Sequence, residues 1–351
     1  MAKKIKVSSY IRKTHGAKRM AFKYFFRYAL CSMRYAYLFL ICALFLSSCA
    51  KPPHKNTFIM SGTYLEIISP YQEAAAIVHG EFKRLNNIFS FYDPASELSQ
   101  LNQTYNKPFK ASEELIGIIE LSKEIYEETG GTFDISCGAL YNFWKDLTKR
   151  DSIISFPSQQ TIKQLKSLSG IDYIEIDSEL KTVTIKQKGV KIDLSGIAKG
   201  YMVDKAIEKL KAAGVDSALI NAGGDLYCLG KNRDKPWKIG IRSPKHPKSI
   251  IESETLIDKA LVTSGTYEQF FNYNGQRYSH LVDPISGYPI KTNIVSISVI
   301  SQSCAIADSL ATSFFAMEPE WAKKFISHGP YELKVFIVKI VEGKERLEII
   351  Q

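Results

Sequence analysis

The chain has 351 residues, 45% of them apolar, and a formal net charge of +10. That length suits one large domain or two closely packed ones with a real core, and the apolar share excludes a disordered chain. The charge excludes nucleic-acid binding rather than suggesting it: ten Lys and Arg lie between Lys3 and Arg34 with no Asp or Glu before Cys49, which leaves the body with 36 cations against 36 anions and no broad basic footprint.

In chain order, the basic leader is followed by the apolar run Tyr35 to Leu46 and then Ser47-Ser48-Cys49. Twelve apolar residues are too few to span a bilayer, which takes about 20. A basic region, a short apolar core and small residues describe a secretory signal peptide over residues 1–48, the alternative being an uncleaved anchor helix. Leu46-Ser47-Ser48-Cys49 resembles a bacterial lipobox, with lipidation expected at Cys49. The expected location is therefore the cell membrane, lipid-anchored and facing the periplasm or another extracytoplasmic side. Met33 or Met20 would start a leader of ordinary size. Cys137, Cys228 and Cys304 are odd in number and far apart, so they predict small packed residues rather than disulfides or a metal pair.

Residues 49–56 are polar with two prolines and read as a tether, so the folded domain is expected over 57–351. The patterns predict a strand over 57–68, a helix over 71–87, and a second helix capped by Ser112 that stops at Gly130-Gly131. A hairpin follows over 173–176 and 182–187, then a helix capped by Ser195 and ended by Gly214. Strands are expected around Ala218, Ile239, Val262, Tyr278 and Ile297, a helix over 305–317, and a closing hairpin turning at Glu342-Gly343. Strand–helix–strand units do not recur at a fixed interval, which argues for mixed α+β.

Five loops carry the chemistry. Asp193-Leu-Ser-Gly196-Ile-Ala-Lys199 enters a helix where free N–H groups and an ammonium could hold an anion, or simply caps it. Asn221-Ala-Gly-Gly224-Asp225 follows a strand, and its glycines permit either a close approach to a ligand or a positive-φ turn. Thr263-Ser264-Gly265-Thr266-Tyr267 is a third small-residue loop. His280 and Asp283 lie three apart before a Pro turn, which fits a structural histidine or a general base. Asp308 and Thr312 share one helix face, as a hydrogen-bonded pair or as hard oxygen donors that suit Mg²⁺ better than Zn²⁺. HExxH, GxSxG, the Walker loop and GxGxxG do not occur, which disfavours zinc, serine-hydrolase and ordinary nucleotide-fold readings.

The order of these loops resembles the ApbE family of FAD:protein FMN transferases. The resemblance starts at Met60-Ser-Gly-Thr63 and continues through Ser90-Phe-Tyr92-Asp-Pro and Thr129-Gly-Gly-Thr132-Phe133-Asp134. It then takes in Asp193 to Asp204, Asn221 to Asp225, Ser264 to Tyr267, His280 to Gly287 and Asp308 to Phe315. One departure is Ile135-Ser-Cys-Gly-Ala139, where the family often carries Thr-Val-x-Pro. The resemblance implies an α+β, T-fold-like, two-lobed architecture with mixed or antiparallel sheets and a flavin cleft between the lobes. It implies that FAD is lined by Met60, Tyr92, Thr132, Phe133, Asp134, Asp193, Lys199 and Val282, and that Mg²⁺ is held by Gly196, Asp308 and Thr312. His280, with Asp283, is the candidate base for an acceptor hydroxyl. Implied partners are FAD and an acceptor protein with a Ser/Thr flavinylation motif, in the family a subunit of the sodium-pumping NADH:quinone reductase or of Rnf-type complexes. An FAD pyrophosphatase and a non-catalytic FAD-binding lipoprotein are the alternatives.

Overall fold

The computed structural model describes residues 53–60, 62–149, 155–266, 270–274 and 276–351. The expected signal peptide, the Cys49 lipidation site and most of the tether lie outside the described residues. In chain order the elements begin with β1 (His54–Met60), β2 (Thr63–Ser69), α1 (Ala74–Phe89), α2 (Glu97–Leu101), β3 (Phe109–Lys110) and α3 (Glu113–Glu128). They continue with α4 (Gly138–Thr148), α5 (Gln159–Lys166), β4 (Ile174–Asp177), β5 (Thr182–Ile185), α6 (Ala198–Ala212), β6 (Ala218–Ala222), β7 (Asp225–Leu229) and β8 (Trp237–Arg242). The last are β9 (Ile250–Leu256), β10 (Lys259–Gly265), β11 (Phe270–Tyr273), β12 (Gln276–Ser279), β13 (Ile294–Ser301), α7 (Cys304–Ser313), α8 (Pro319–His328), β14 (Lys334–Val341) and β15 (Lys344–Ile350).

Eight strands form one antiparallel sheet in the order β1-β2-β6-β7-β10-β13-β14-β15. Its central strands are apolar on both faces because both faces are covered, and the period-2 alternation of a strand sorts their residues into two cores. Ile220, Tyr227, Val262, Val299 and Val335 join the main core under the helices. Their neighbours Leu219, Leu226, Leu261, Ile300 and Phe336 point the other way, onto Trp237, Ile239 and Ile241 of the β8–β9 hairpin. A third cluster around Trp144 gathers α4, α5 and the β11–β12 hairpin. Residues 53–351 are one compact unit.

Several expectations are met by local chemistry. Ser112 Oγ accepts from Leu115 N at 3.2 Å and caps α3, and β14 turns into β15 at Glu342-Gly343, both with positive φ. The strand expected over 57–68 is instead the β1–β2 hairpin, broken where Gly62 takes a φ of +75°. Strand β1 begins at His54, inside the stretch read as tether. Ser195 does not cap α6, which starts at Ala198 after Ile197 and without a side-chain cap. The donor at Ser195 is its own N–H, held by Asp193 Oδ1 at 2.8 Å. Helices α2, α4, α5 and α8 were not anticipated, although Ser96 caps α2, Ser158 caps α5 and Pro319 opens α8.

Candidate functional site

The site is built at the crossing of α6 and α7. Gly200 allows the crossing: a Cβ there would stand 2.3 Å from the Cys304 carbonyl oxygen, so any larger residue would push the helices apart. At this contact the two helices exchange carboxylates. Asp204, from α6, accepts from Ser303 Oγ at 2.7 Å and from the N–H groups of Cys304 and Ala305 at 2.8 and 2.9 Å, so it satisfies the start of α7. Asp308, from α7, accepts from Gly200 N at 3.2 Å in the first turn of α6.

Around Asp308 the charges are crowded, two buried carboxylates beside a half-buried ammonium. Lys199 Nζ pairs with Asp225 and lies 3.9 Å from Asp308 Oδ2. Asp225 and Asp308 are 1% and 3% exposed. Burial, and then the neighbouring Asp308 carboxylate, push the Asp225 carboxyl above the ordinary carboxylate range. Burial opposes the Lys199 charge, but Asp225 and Asp308 outweigh it and hold the ammonium more firmly protonated than a free lysine.

The other predicted ligands adjoin this cluster. Ser264 Oγ and Thr312 Oγ1 are 3.4 Å apart. A Cβ added at Gly196 would meet Phe133 Cε2 at 3.4 Å and Thr312 Oγ1 at 4.0 Å, so the Gly196 turn, the Phe133 ring and the Thr312 hydroxyl line one place. Thr132 Oγ1 is 3.0 Å from Ser313 Oγ, which ties that strip to α7. Asp134 and Asp193 come side by side through the Asp193 N to Ile135 O bond of 2.8 Å, and each carboxylate accepts a backbone N–H two residues ahead.

The remaining predicted residues sit elsewhere in the packing. Met60 ends β1 and packs against the main core. Tyr92 is 56% exposed, donates to Asn142 Oδ1 at 3.1 Å, and has Lys145 Nζ 4.8 Å from its ring centre. Val282 belongs to the Trp144 cluster, and Trp144 Nε1 holds Gly287 O at 3.0 Å. Asp283 accepts from Ile285 N and Ser286 N at 2.9 and 3.0 Å, so its carboxylate fixes the turn that follows His280.

Sequence reasoning quoted Asp225 only as the end of a glycine turn, and that turn is real: Gly223 and Gly224 both have positive φ. Its carboxylate was the missed feature. The signal was an acid opening the apolar run Leu226 to Leu229, since a charge in a fully buried strand needs a partner.

Among the described residues no three His, Cys, Asp or Glu gather as a metal group. The Asp308 carboxylate, the Thr312 hydroxyl and the main-chain oxygen of Gly196 are the groups that would hold a divalent cation here. Hard oxygens of that kind suit Mg²⁺.

The antiparallel α+β sheet with helices on one face and a polar site in their crossing defines a class that known proteins share. The ApbE family model matches residues 60–337. An FAD:protein FMN transferase of Vibrio cholerae is 32% identical over 290 residues, covering 79% of this chain and 86% of its own. One from Treponema pallidum is 30% identical over 261 residues, covering 69% and 70%. The crystal structure of an ApbE protein from Thermotoga maritima superposes with a TM-score of 0.75 at 30% identity, over 85% of this chain and 97% of that one. The flavin transferase ApbE from Vibrio cholerae superposes at 0.74 with 26% identity, over 86% and 98%. This chain belongs to the ApbE family.

Proposed function

We propose that this chain is a Mg²⁺-dependent FAD:protein FMN transferase that moves FMN from FAD onto a Ser or Thr hydroxyl of a membrane redox-complex subunit, with release of AMP. The observation that carries the reading is the convergence of Asp308, Thr312 and the Gly196 turn beside the half-buried Lys199. The names of the curated relatives support the activity.

Lys199 brings a fixed positive charge toward the diphosphate, and the apolar wall containing Phe133 excludes water from it. Magnesium, when held by Asp308, Thr312 and Gly196, supplies neutralisation of the charge that develops on the diphosphate oxygens. The acceptor oxygen forms a bond to the FMN-side phosphorus as the bond from that phosphorus to the AMP oxygen breaks. His280 takes the hydroxyl proton, and Asp283 holds the turn behind it. A lipid at Cys49 would keep the enzyme in the plane of its acceptor and raise their effective concentration.

Incubation with FAD, Mg²⁺ and an acceptor bearing a Ser/Thr motif, followed by mass measurement, tests the reading. The expected result is an acceptor heavier by one FMN, with AMP in solution. Free FMN and AMP with unmodified acceptor would make the chain a pyrophosphatase, and intact FAD would make it a binding protein. For His280→Ala, transfer should slow by about 100-fold or more with FAD affinity retained; near-normal turnover removes His280 as base.

A further inference from the structure

The neutral balance of the body hides one strongly polarised element. Between Lys231 and Lys248 the chain carries seven Lys and Arg and a single acid, Asp234. Strand β8 alternates strictly: Trp237, Ile239 and Ile241 enter the second core, and Lys238, Gly240 and Arg242 face out. On β9 the exposed residues are Ile250, Ser253 and Thr255, none of them acidic, and Ile250 is 65% exposed. Glu254, directed inward, is already engaged by Lys334 at 2.7 Å. Among the described residues none of the seven cations forms an ion pair, whereas their neighbours Lys259 and Lys334 both do; Lys245 Nζ donates to Gly343 O, and Glu345 accepts from Ser243 Oγ and Lys245 N at that end of the hairpin.

Sheet register places this element. The strand ends bearing His54, Ser69, Ala218, Leu229 and Lys259 form one end of the large sheet, and those bearing Met60, Ala222, Asp225 and Gly265 form the other. The loop with Lys231, Arg233 and Lys235 leaves β7 at the His54 end. It is tied there, because Ser69 Oγ donates to Ser217 O at 2.7 Å and Ser217 Oγ donates to Lys231 O at 2.6 Å. The hairpin lies on the face of the sheet away from the helices and the Asp308 cluster.

We propose that the outer face of the β8–β9 hairpin, with its flanking loops, is a docking surface for an anionic lipid bilayer. Cations without ion-pair partners on the same face as an exposed isoleucine match anionic headgroups over an apolar interior, and such attraction is short-ranged, falling away within a Debye length. Lipidation at Cys49 would hold it close: the steps from there to His54 span at most about 18 Å when fully extended. Docked in this way, the chain keeps the helix-covered face of the sheet turned away from the bilayer. The proposal does not depend on the transferase reading, since it concerns the opposite face.

The test uses residues 53–351, the compact unit holding all three cores, with vesicles of phosphatidylcholine alone or mixed with phosphatidylglycerol. Sedimentation should show binding to the mixed vesicles, little to phosphatidylcholine, and loss as salt rises. The triple variant Lys235→Gln, Lys238→Gln, Arg242→Gln should bind the mixed vesicles about tenfold more weakly or worse, with an unchanged melting temperature, because all three side chains are exposed. Equal binding of both vesicle types, or of variant and parent, overturns the proposal. So does an unaffected vesicle affinity combined with weakened capture of an acidic acceptor protein in detergent, which would assign the face to a protein partner.

Discussion

The α6–α7 crossing holds two buried carboxylates with opposite fates. Asp204 accepts three hydrogen bonds from the start of α7 and is spent on the fold. Asp308, barely more than a helical turn along α7 from that start, accepts one N–H at 3.2 Å and stands among charges: Lys199 at 3.9 Å, with Asp225 behind it. A carboxylate has room for about four donors, so Asp204 is nearly saturated, whereas Asp308 retains acceptor capacity for the cation proposed above. Burial alone therefore does not mark a functional acid; unspent acceptor capacity beside other charges does.

The contrast can be broken by substitution. Asp308→Ala is expected to have the largest effect, at least about 100-fold on FMN transfer, with the cooperative unfolding transition preserved. Transfer that survives it, or that is insensitive to chelation of divalent cations, removes the metal role. Gly200→Ala should come next, since its new methyl meets the Cys304 carbonyl; a loss of about 3 kcal/mol or more in urea unfolding is expected from forcing the helices apart. An unchanged midpoint would mean that the crossing is loose and the shared geometry unimportant. Asp204→Ala should cost about 2 kcal/mol of stability through the lost cap while leaving residual transfer measurable; a loss of transfer as complete as that of Asp308→Ala would erase the distinction between the two acids. Ser112→Ala, far from the crossing, sets the scale for an ordinary cap at about 1 kcal/mol, with transfer unaffected.

How much was legible follows from how local each feature is. The Ser112 cap and the Glu342-Gly343 turn are decided within a few residues, and both appear as expected. The β1–β2 hairpin was misjudged because the apolar stretches Phe58 to Met60 and Tyr64 to Ile68 lie so close together, with the positive-φ Gly62 marking the turn between them. The start of α6 was misplaced because its free N–H is met from another helix by Asp308 rather than by a nearby Ser. Gly196, Asp308 and Thr312, the residues proposed to hold a cation, were singled out through the order of motifs, and the structure sets the Gly196 turn beside Thr312, while Asp225 was visible only as a turn.

The sequence by itself determined the α+β class, the family and the positions of the polar loops, because hydrophobic period and turn chemistry act over short distances. Only the tertiary structure decided which charges meet. Lys199 lies 26 positions from Asp225 and more than 100 from Asp308, and no local preference sets such a separation. Packing α6 against α7 at Gly200, over the end of a sheet buried on both faces, brings those three groups together, and a buried carboxylate such as Asp225 or Asp308 must there be paired or used.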